Sequence, residues 1–465
     1  MTPTLESLAT CFQGLLPAQL FTCSRDGIPN AAYLSHVDYV DASHVALSFQ
    51  FFNKSRRNIT ENPQALVIVQ DPDTGQGWCL RLKYVRSETS GPLFERMELR
   101  IEAIASYCGL KGVFKLRAAD VYEVQSIEPA AEEKGRTDQD PARAQPPDAI
   151  FTVKALQDLS SRIQRADSLD TLVDSILAGL EESFGFSYSM ILVPSEEAGV
   201  LVTLATRGYD DSGAGAEVRF GQGICGMVAE ARKPIRISGL LRGMLYALAA
   251  RTGATGDAAR RIPLPGLAQP ESQLGVPLLV RDELIGVLCL ESEMRYRFHE
   301  QDKQTIELLG SYVAVAIQNM QLQDRAADGL SDEVAPAPHS PPVAAPAPTL
   351  PPREPSPARR RQIVYYAADE CILVDGDYLI RSLPARILWR LLTVRDSTGR
   401  DEFTNRELRL DKSLNLPELK DNLESRLLLL RRRLEEKCPD IRLVSRGRGR
   451  FALEVGCDAV LSSKP

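Results

Sequence analysis

Histidine is scarce in this 465-residue chain. Only four are present: His36, His44 and His299 are isolated, and His339 lies among prolines, so a histidine-based metal centre is not expected. The nine cysteines (Cys11, Cys23, Cys79, Cys108, Cys225, Cys289, Cys371, Cys438 and Cys457) are odd in number and contain no CxxC pair. That pattern argues against a zinc ribbon or a disulfide framework and predicts reduced, mostly buried thiols. No apolar run approaches the ~20 residues needed to cross a bilayer, and the opening MTPTLESLATCFQGLL lacks the basic region that begins a secretory signal. These absences predict cytoplasmic residence and no membrane partner. Internal repeats are lacking too, and no nucleophile and base are arranged for catalysis, so no catalytic or metal-ligating residue is assigned.

What is present is an ordinary globular composition, 44% hydrophobic and 25% charged. At about 150 residues per domain, the length predicts about three domains. Two composition shifts mark their boundaries. Residues 129–150 accumulate Pro, Ala and charge, and residues 324–361 are dominated by Pro and Ala, which favours extended polyproline II spacers. The expected units are therefore 1–128, 151–323 and 362–458.

In the first unit a basic, hydroxyl-bearing segment, FFNKSRRNITENPQ from Phe51 to Gln64, separates strand-like runs at His44 to Phe51 and Ala65 to Gln70. Charge-assisted hydrogen bonds from such a turn suit a phosphate dianion. From Pro17 to Glu128 the chain resembles the pyridoxamine phosphate oxidase-like split barrels, which bind flavin mononucleotide (FMN) and commonly dimerise around it. Glu61-Asn62-Pro63 matches the family's Glu-Asn-Pro, and Asn53-Lys54-Ser55 falls on its Ser-Arg-Lys turn, with one cation retained. The resemblance implies FMN as a cofactor held by Asn53, Lys54, Ser55, Arg56, Arg57 and Asn58. The alternative is a barrel without flavin and a solvated basic turn.

The second unit opens with an amphipathic helical pattern (Leu156, Leu159, Ile163, then Leu169 to Leu180). Strand-like runs at Tyr188–Val193 and Leu201–Thr206, a Gly-rich turn at Gly221, a hairpin over Ser272–Ser292 and a closing helix from Glu300 to Gln323 follow. This order resembles GAF domains, which implies a small-molecule sensing and dimerisation module. The Asn-Lys pair of cyclic-nucleotide-binding members is missing before Phe298-x-x-x-Asp302, so the ligand stays open. The insertion Ser238 to Glu271, with Arg242, Arg251, Arg260 and Arg261, reads as a lid or a loop. Cys225 and Cys289 each read as a buried structural thiol, with a redox or covalent-attachment site as the alternative.

In the third unit a hairpin turns at Asp375-Gly376, Thr404 and Glu407 spell a capping box, and a long helix is expected from Pro417 to Lys437. Leu430-Arg431-Arg432-Arg433-Leu434 and Arg446-Gly447-Arg448-Gly449-Arg450-Phe451 resemble the recognition helix and wing of OmpR/PhoB-type winged-helix domains. That resemblance implies DNA as partner, with Lys420, Asn422 and Arg426 nearest the groove and Arg446, Arg448 and Arg450 on phosphates. From Arg359 onward there are 22 Lys and Arg against 17 Asp and Glu, in a chain whose net charge is −7. The basic excess is thus concentrated where phosphates would be met. Glu418, Asp421 and Glu424 oppose that reading, and the apolar run Leu427 to Leu430 is wider than a one-sided helix needs, so a protein-docking helix stays open.

The expected architecture is multidomain: an N-terminal β split barrel, a central α+β GAF domain and a C-terminal winged helix. The expected function is a dimeric one-component transcriptional regulator that couples a flavin or another small-molecule signal to DNA binding. An FMN-dependent oxidoreductase and a scaffold that does not bind DNA are the alternatives.

Overall fold

A computed structural model describes residues 3–12, 18–50, 54–71, 76–107, 115–130, 149–195, 197–238, 264–267, 270–294, 297–330, 360–414, 416, 423–447 and 449–464. The N-terminal unit is a seven-stranded antiparallel sheet built from β1 (Ala18–Cys23), β2 (Pro29–Leu34), β3 (Val37–Asp41), β4 (His44–Phe49), β5 (Gln64–Gln70), β6 (Gly77–Glu88) and β7 (Ala118–Pro129), in the order β2-β1-β5-β6-β7-β4-β3. Register shifts interrupt the β6–β7 ladder at Arg81/Leu82 and Tyr84/Arg86. Such bulges bend and twist a strand, and β2 also lies against β4, so the sheet curls around Leu20, Val45, Leu47, Val67, Leu80 and Leu82. Helix α1 (Lys54–Glu61) joins β4 to β5 and carries the basic segment. A longer helix, α2 (Pro92–Tyr107), covers a second small core at Met97, Ile101 and Val121.

The central unit is a six-stranded antiparallel sheet of order β10-β9-β8-β13-β12-β11. Its strands are β8 (Tyr188–Pro194), β9 (Val200–Arg207), β10 (Glu217–Arg219), β11 (Ile235–Ser238), β12 (Ser272–Val280) and β13 (Glu283–Ser292). Helices α3 (Ala149–Arg165), α4 (Leu169–Phe184) and α6 (Glu300–Leu330) cover one face, and α5 (Gly223–Ala231) covers the other. Because both faces are covered, β9 and β12 read as near-continuous apolar runs. Local signals set the boundaries. Ser168 and Thr171 cap α4 reciprocally, and Gly185, at φ 68°, ends it in the left-handed conformation. The tight turn from β12 to β13 runs through Arg281 and Asp282, both at positive φ. Phe298 is buried, and the Asp302 carboxylate accepts from the His299 backbone N–H at 2.8 Å, which fixes the start of α6.

The C-terminal unit holds two small sheets. One has the order β16-β15-β14-β20, from β14 (Arg360–Tyr366), β15 (Cys371–Val374), β16 (Asp377–Arg381) and β20 (Asp458–Lys464); the other has the order β17-β19-β18, from β17 (Glu402–Thr404), β18 (Ile441–Ser445) and β19 (Arg450–Val455). Between them lie α7 (Ser382–Thr398), α8 (Asn405–Leu410) and α9 (Leu423–Lys437). Asp375 and Gly376 both take positive φ at the β15–β16 turn, and Thr404 and Glu407 form the capping box of α8. The start of the expected long helix, residues 417–422, lies outside the described residues; α9 begins at Leu423. No helix among the described residues is long and apolar enough to cross a membrane.

The C-terminal unit packs directly on the central one. Leu427, Leu428, Leu429 and Leu430 are all buried, in one continuous core with α4, β9 and α6. Four consecutive apolar residues cover every side of a helix, so α9 must be buried on more than one side. Leu429 lines a crevice together with Val202 and Glu217, and Leu428 lines a second one together with Leu169 and Asp170.

Candidate functional site

The central unit encloses a cavity of about 100 Å³ between α5 and the sheet, lined among others by Met190, Val218, Gln222, Gln273 and Glu291. Glycines bring its walls together. A Cβ on Gly226 would lie 2.2 Å from the Arg219 carbonyl oxygen, and one on Gly275 would lie 2.7 Å from a Val228 methyl. Only glycine lets α5 sit this close to β10 and β12. Along β13 the side chains alternate: Leu288 and Leu290 enter the core under α4 and α6, whereas Val287, Cys289 and Glu291 face α5.

Glu291 is 8% exposed and receives hydrogen bonds from the Gln273 side-chain amide, the Leu267 backbone N–H at 2.9 Å and the Tyr209 hydroxyl at 3.2 Å. Burial pushes its carboxyl above the ordinary range, only partly opposed by those donors. Burial, then the nearby carboxylate, likewise raises the Tyr209 phenol. The Gln273 Oε1, itself buried, has no hydrogen-bond partner among the described residues. Cys225 on α5 and Cys289 on β13 are joined as a disulfide across this cavity wall, with Cα atoms 6.4 Å apart. This corrects the expectation of two separate thiols: 64 residues apart in sequence, they meet only because α5 folds over β13.

The basic turn of the first unit borders a cavity of about 220 Å³ whose walls include Ser35, Gln50, Ser55, Arg56, Asp120 and Tyr122. Its predicted phosphate ligands do not act as one set. Arg56 is paired with Asp120, donates to Ser87 at 2.9 Å and lies 4.7 Å over the Phe49 ring. Ser55 accepts from Asn30 at 2.9 Å, and Asn58 is buried and donates to Thr22 at 3.2 Å. Lys54 and Arg57 are exposed on α1. Asn53 lies outside the described residues. Of the sequence-based set of six, Ser55 and Arg56 line the cavity, with Arg56 also engaged by the Asp120 carboxylate, and Asn58 is engaged by Thr22. The Gln50 side-chain amide nitrogen, buried at the cavity, has no hydrogen-bond partner among the described residues.

In the C-terminal unit the one described member of the expected groove-facing set, Arg426, is turned inward. Arg426 is 4% exposed and donates to the Pro194 carbonyl at 2.8 Å, so it holds the central unit. Glu424 is buried against Arg409. Arg431 reaches Asp170 at 3.1 Å, and Arg432 reaches Asp170 at 2.9 Å and Asp174 at 2.6 Å. Arg381 is paired with Glu217 on β10. Arg446 is half-exposed and pairs with Glu454 at 3.1 Å, and Arg450 is exposed. Lys420, Asn422 and Arg448 lie outside the described residues, as do Arg242, Arg251, Arg260 and Arg261 of the insertion.

Several residues of consequence were not singled out from sequence: Glu291, Gln273, Tyr209, Asp120, Asp170 and Asp174. One signal was available, since Glu291 follows Cys289 by two within an apolar strand and must share its face. The others are brought together by tertiary packing alone.

The GAF domain family matches residues 166–318, so the central unit is a GAF domain. Comparison with curated proteins gives no match. Among solved structures, the chain is similar to the GAF domain of a phosphoenolpyruvate-protein phosphotransferase from Coxiella burnetii, at 20% identity over 40% of this chain and 100% of that one, with a TM-score of 0.31. It is also similar to a free methionine-R-sulfoxide reductase from Neisseria meningitidis in complex with its substrate (18% identity, 39% and 96% coverage, TM-score 0.31). An FMN-binding protein from Syntrophomonas wolfei subsp. wolfei is similar at 18% identity, over 28% of this chain and 90% of that one, with a TM-score of 0.23.

Proposed function

We propose that this chain is a cytoplasmic regulatory protein in which a small molecule held by the GAF domain controls release of the C-terminal, winged-helix-like unit onto DNA. The observation that carries the reading is β10, three residues long, from Glu217 to Arg219. Val218 lines the α5 cavity, while its neighbour Glu217 holds Arg381 of the C-terminal unit. Side chains one apart on a strand point to opposite faces, so a displacement of β10 by a ligand is felt at the interdomain contact. Met190 and Pro194 of β8 are placed similarly, the first on the cavity and the second accepting from Arg426. A ligand acts only through a difference in affinity between docked and released arrangements. The basic residues turned toward Asp170 and Asp174 while docked are then the ones that DNA would compete for.

Two further features fit this reading. In the barrel, Lys54 and Arg57 are the cations that would hold an FMN phosphate, and the Gln50 amide is a buried donor for the ligand; bound flavin would supply a reducible ring. On α6, the exposed Leu308, Tyr312, Val315, Asn319 and Leu322 repeat at the alternating four-and-three spacing of a coiled-coil seam, with an asparagine of the kind that fixes dimer register. That stripe supports a homodimer.

The test is enrichment of genomic DNA fragments by the full-length protein and by an Asp170→Ala/Asp174→Ala variant. Specific fragments recovered more strongly by the variant support the reading; no specific DNA recovered by either protein refutes it.

A further inference from the structure

We infer that the α5 cavity of the GAF domain is a binding site for a small organic cation, a protonated amine or an amidinium, recognised by the Glu291 carboxylate and the free Gln273 carbonyl oxygen. The inference rests on the GAF domain being the sensing unit and names the chemistry it senses.

The argument begins with charge. Glu291 is 8% exposed, and no lysine or arginine pairs with it among the described residues. Buried carboxylates in folded proteins are paired or protonated, because an isolated charge loses far more hydration than neutral donors return. The groups facing Glu291 are Tyr209, Gln273 and the Leu267 amide, with the Tyr188 ring tilted against Tyr209 at a centroid distance of 5.5 Å and the Cys225–Cys289 disulfide along the wall. All are neutral. Among the described residues nothing balances the ionised carboxylate, and a cationic ligand would do so.

Orientation supplies the second step. Because Gln273 donates its amide N–H to Glu291, its Oε1 is turned away and has no partner among the described residues. The cavity therefore offers two acceptors and apolar walls from Met190, Val218 and Leu274. An anion would meet Glu291 and an unpaired carbonyl oxygen, and an apolar ligand would leave the Gln273 oxygen without a donor and the ionised Glu291 without a counter-charge. A ligand with several N–H donors and positive charge satisfies both. Size narrows it further: a cavity of about 150 Å³ holds benzene, so the 100 Å³ here suits a head group of about four or five heavy atoms.

The pH dependence has a defined sign. Burial raises the Glu291 pKa, so the stability associated with its bound proton is present at low pH and is lost as pH rises through the folded value. A cationic ligand pairs with the ionised form, so its affinity rises with pH until the ligand itself loses its proton.

The test uses the full-length protein and three probes of four or five heavy atoms: n-propylammonium, methylguanidinium and the neutral alcohol n-butanol, with butyrate as the anionic control. Calorimetric titration and thermal shift are read between pH 5 and pH 8. The expected result is saturable binding of one or both cations, at least tenfold tighter than n-butanol and strengthening with pH. Glu291→Gln should abolish that preference while leaving the melting temperature equal to or above that of the parent at pH 8, which separates lost recognition from misfolding. Equal binding of n-butanol, preference for butyrate, unchanged cation affinity in Glu291→Gln, or no binding of any probe each overturns the assignment. Failure of the sensing reading is distinguishable, since it appears as no specific DNA recovered by the parent or by Asp170→Ala/Asp174→Ala, whatever the cavity binds.

Discussion

Replacing Asp170 and Asp174 together by alanine removes the acidic side of the interdomain clamp and leaves every residue of the C-terminal unit in place. Three ion pairs are lost, Arg431–Asp170, Arg432–Asp170 and Arg432–Asp174. The arginines are three-quarters or more buried while Asp174 is mostly exposed, so each pair is discounted toward the surface value of about 0.5–1 kcal/mol. Their sum is about 2 kcal/mol, or about thirtyfold in the docking equilibrium. Leu428, Leu429 and the Arg426–Pro194 hydrogen bond remain, so docking is weakened rather than abolished. Hydrogen exchange of α9 amides should accelerate by up to about thirtyfold, and apparent DNA affinity should rise by no more than the same factor, since only the released fraction is competent. Electrophoretic or fluorescence titration at fixed salt measures the second quantity. Unchanged exchange in α9 would show that the ion pairs do not hold the units together; faster exchange with unchanged DNA affinity would remove DNA as the output.

Three further outcomes are expected. Lys54→Ala/Arg57→Ala should lower FMN retention by at least tenfold, read from the absorption spectrum of the purified protein, because these are the cations on α1 not claimed by Asp120; equal flavin content in parent and variant would place the phosphate elsewhere. Gly226→Ala should destabilise the protein by about 2–3 kcal/mol, since its Cβ would stand 2.2 Å from the Arg219 carbonyl oxygen and force α5 off β10, and the melting temperature in a scanning experiment checks it. Leu308→Lys/Val315→Lys, placing charges on the exposed α6 stripe, should convert a dimer to a monomer in light scattering with no loss of melting cooperativity; a species of unchanged mass would refute the seam.

Local patterns were legible in the sequence. The apolar alternation over Ser272–Ser292, the capping box at Thr404 and Glu407 and the Asp375-Gly376 turn each depend on a few neighbouring residues, and the structure holds them where the pattern put them. The GAF domain was readable for the same reason, as an ordered series of such local signals. Site assignments were less legible, because a side chain's role depends on its partner. Arg56 reads as a free cation until Asp120, 64 residues away, pairs with it. Arg426 reads as a groove contact until Pro194, 232 residues away, takes its proton donor. The run Leu427 to Leu430 did announce a helix buried on several sides, though not against what. By itself, the sequence determined which segments become strands, helices and turns, since those follow from backbone preference and short-range periodicity. Tertiary structure alone decided which charges are spent inside the protein and which remain for a ligand, because Coulomb and desolvation energies depend on distance and burial, and neither is set by position along the chain.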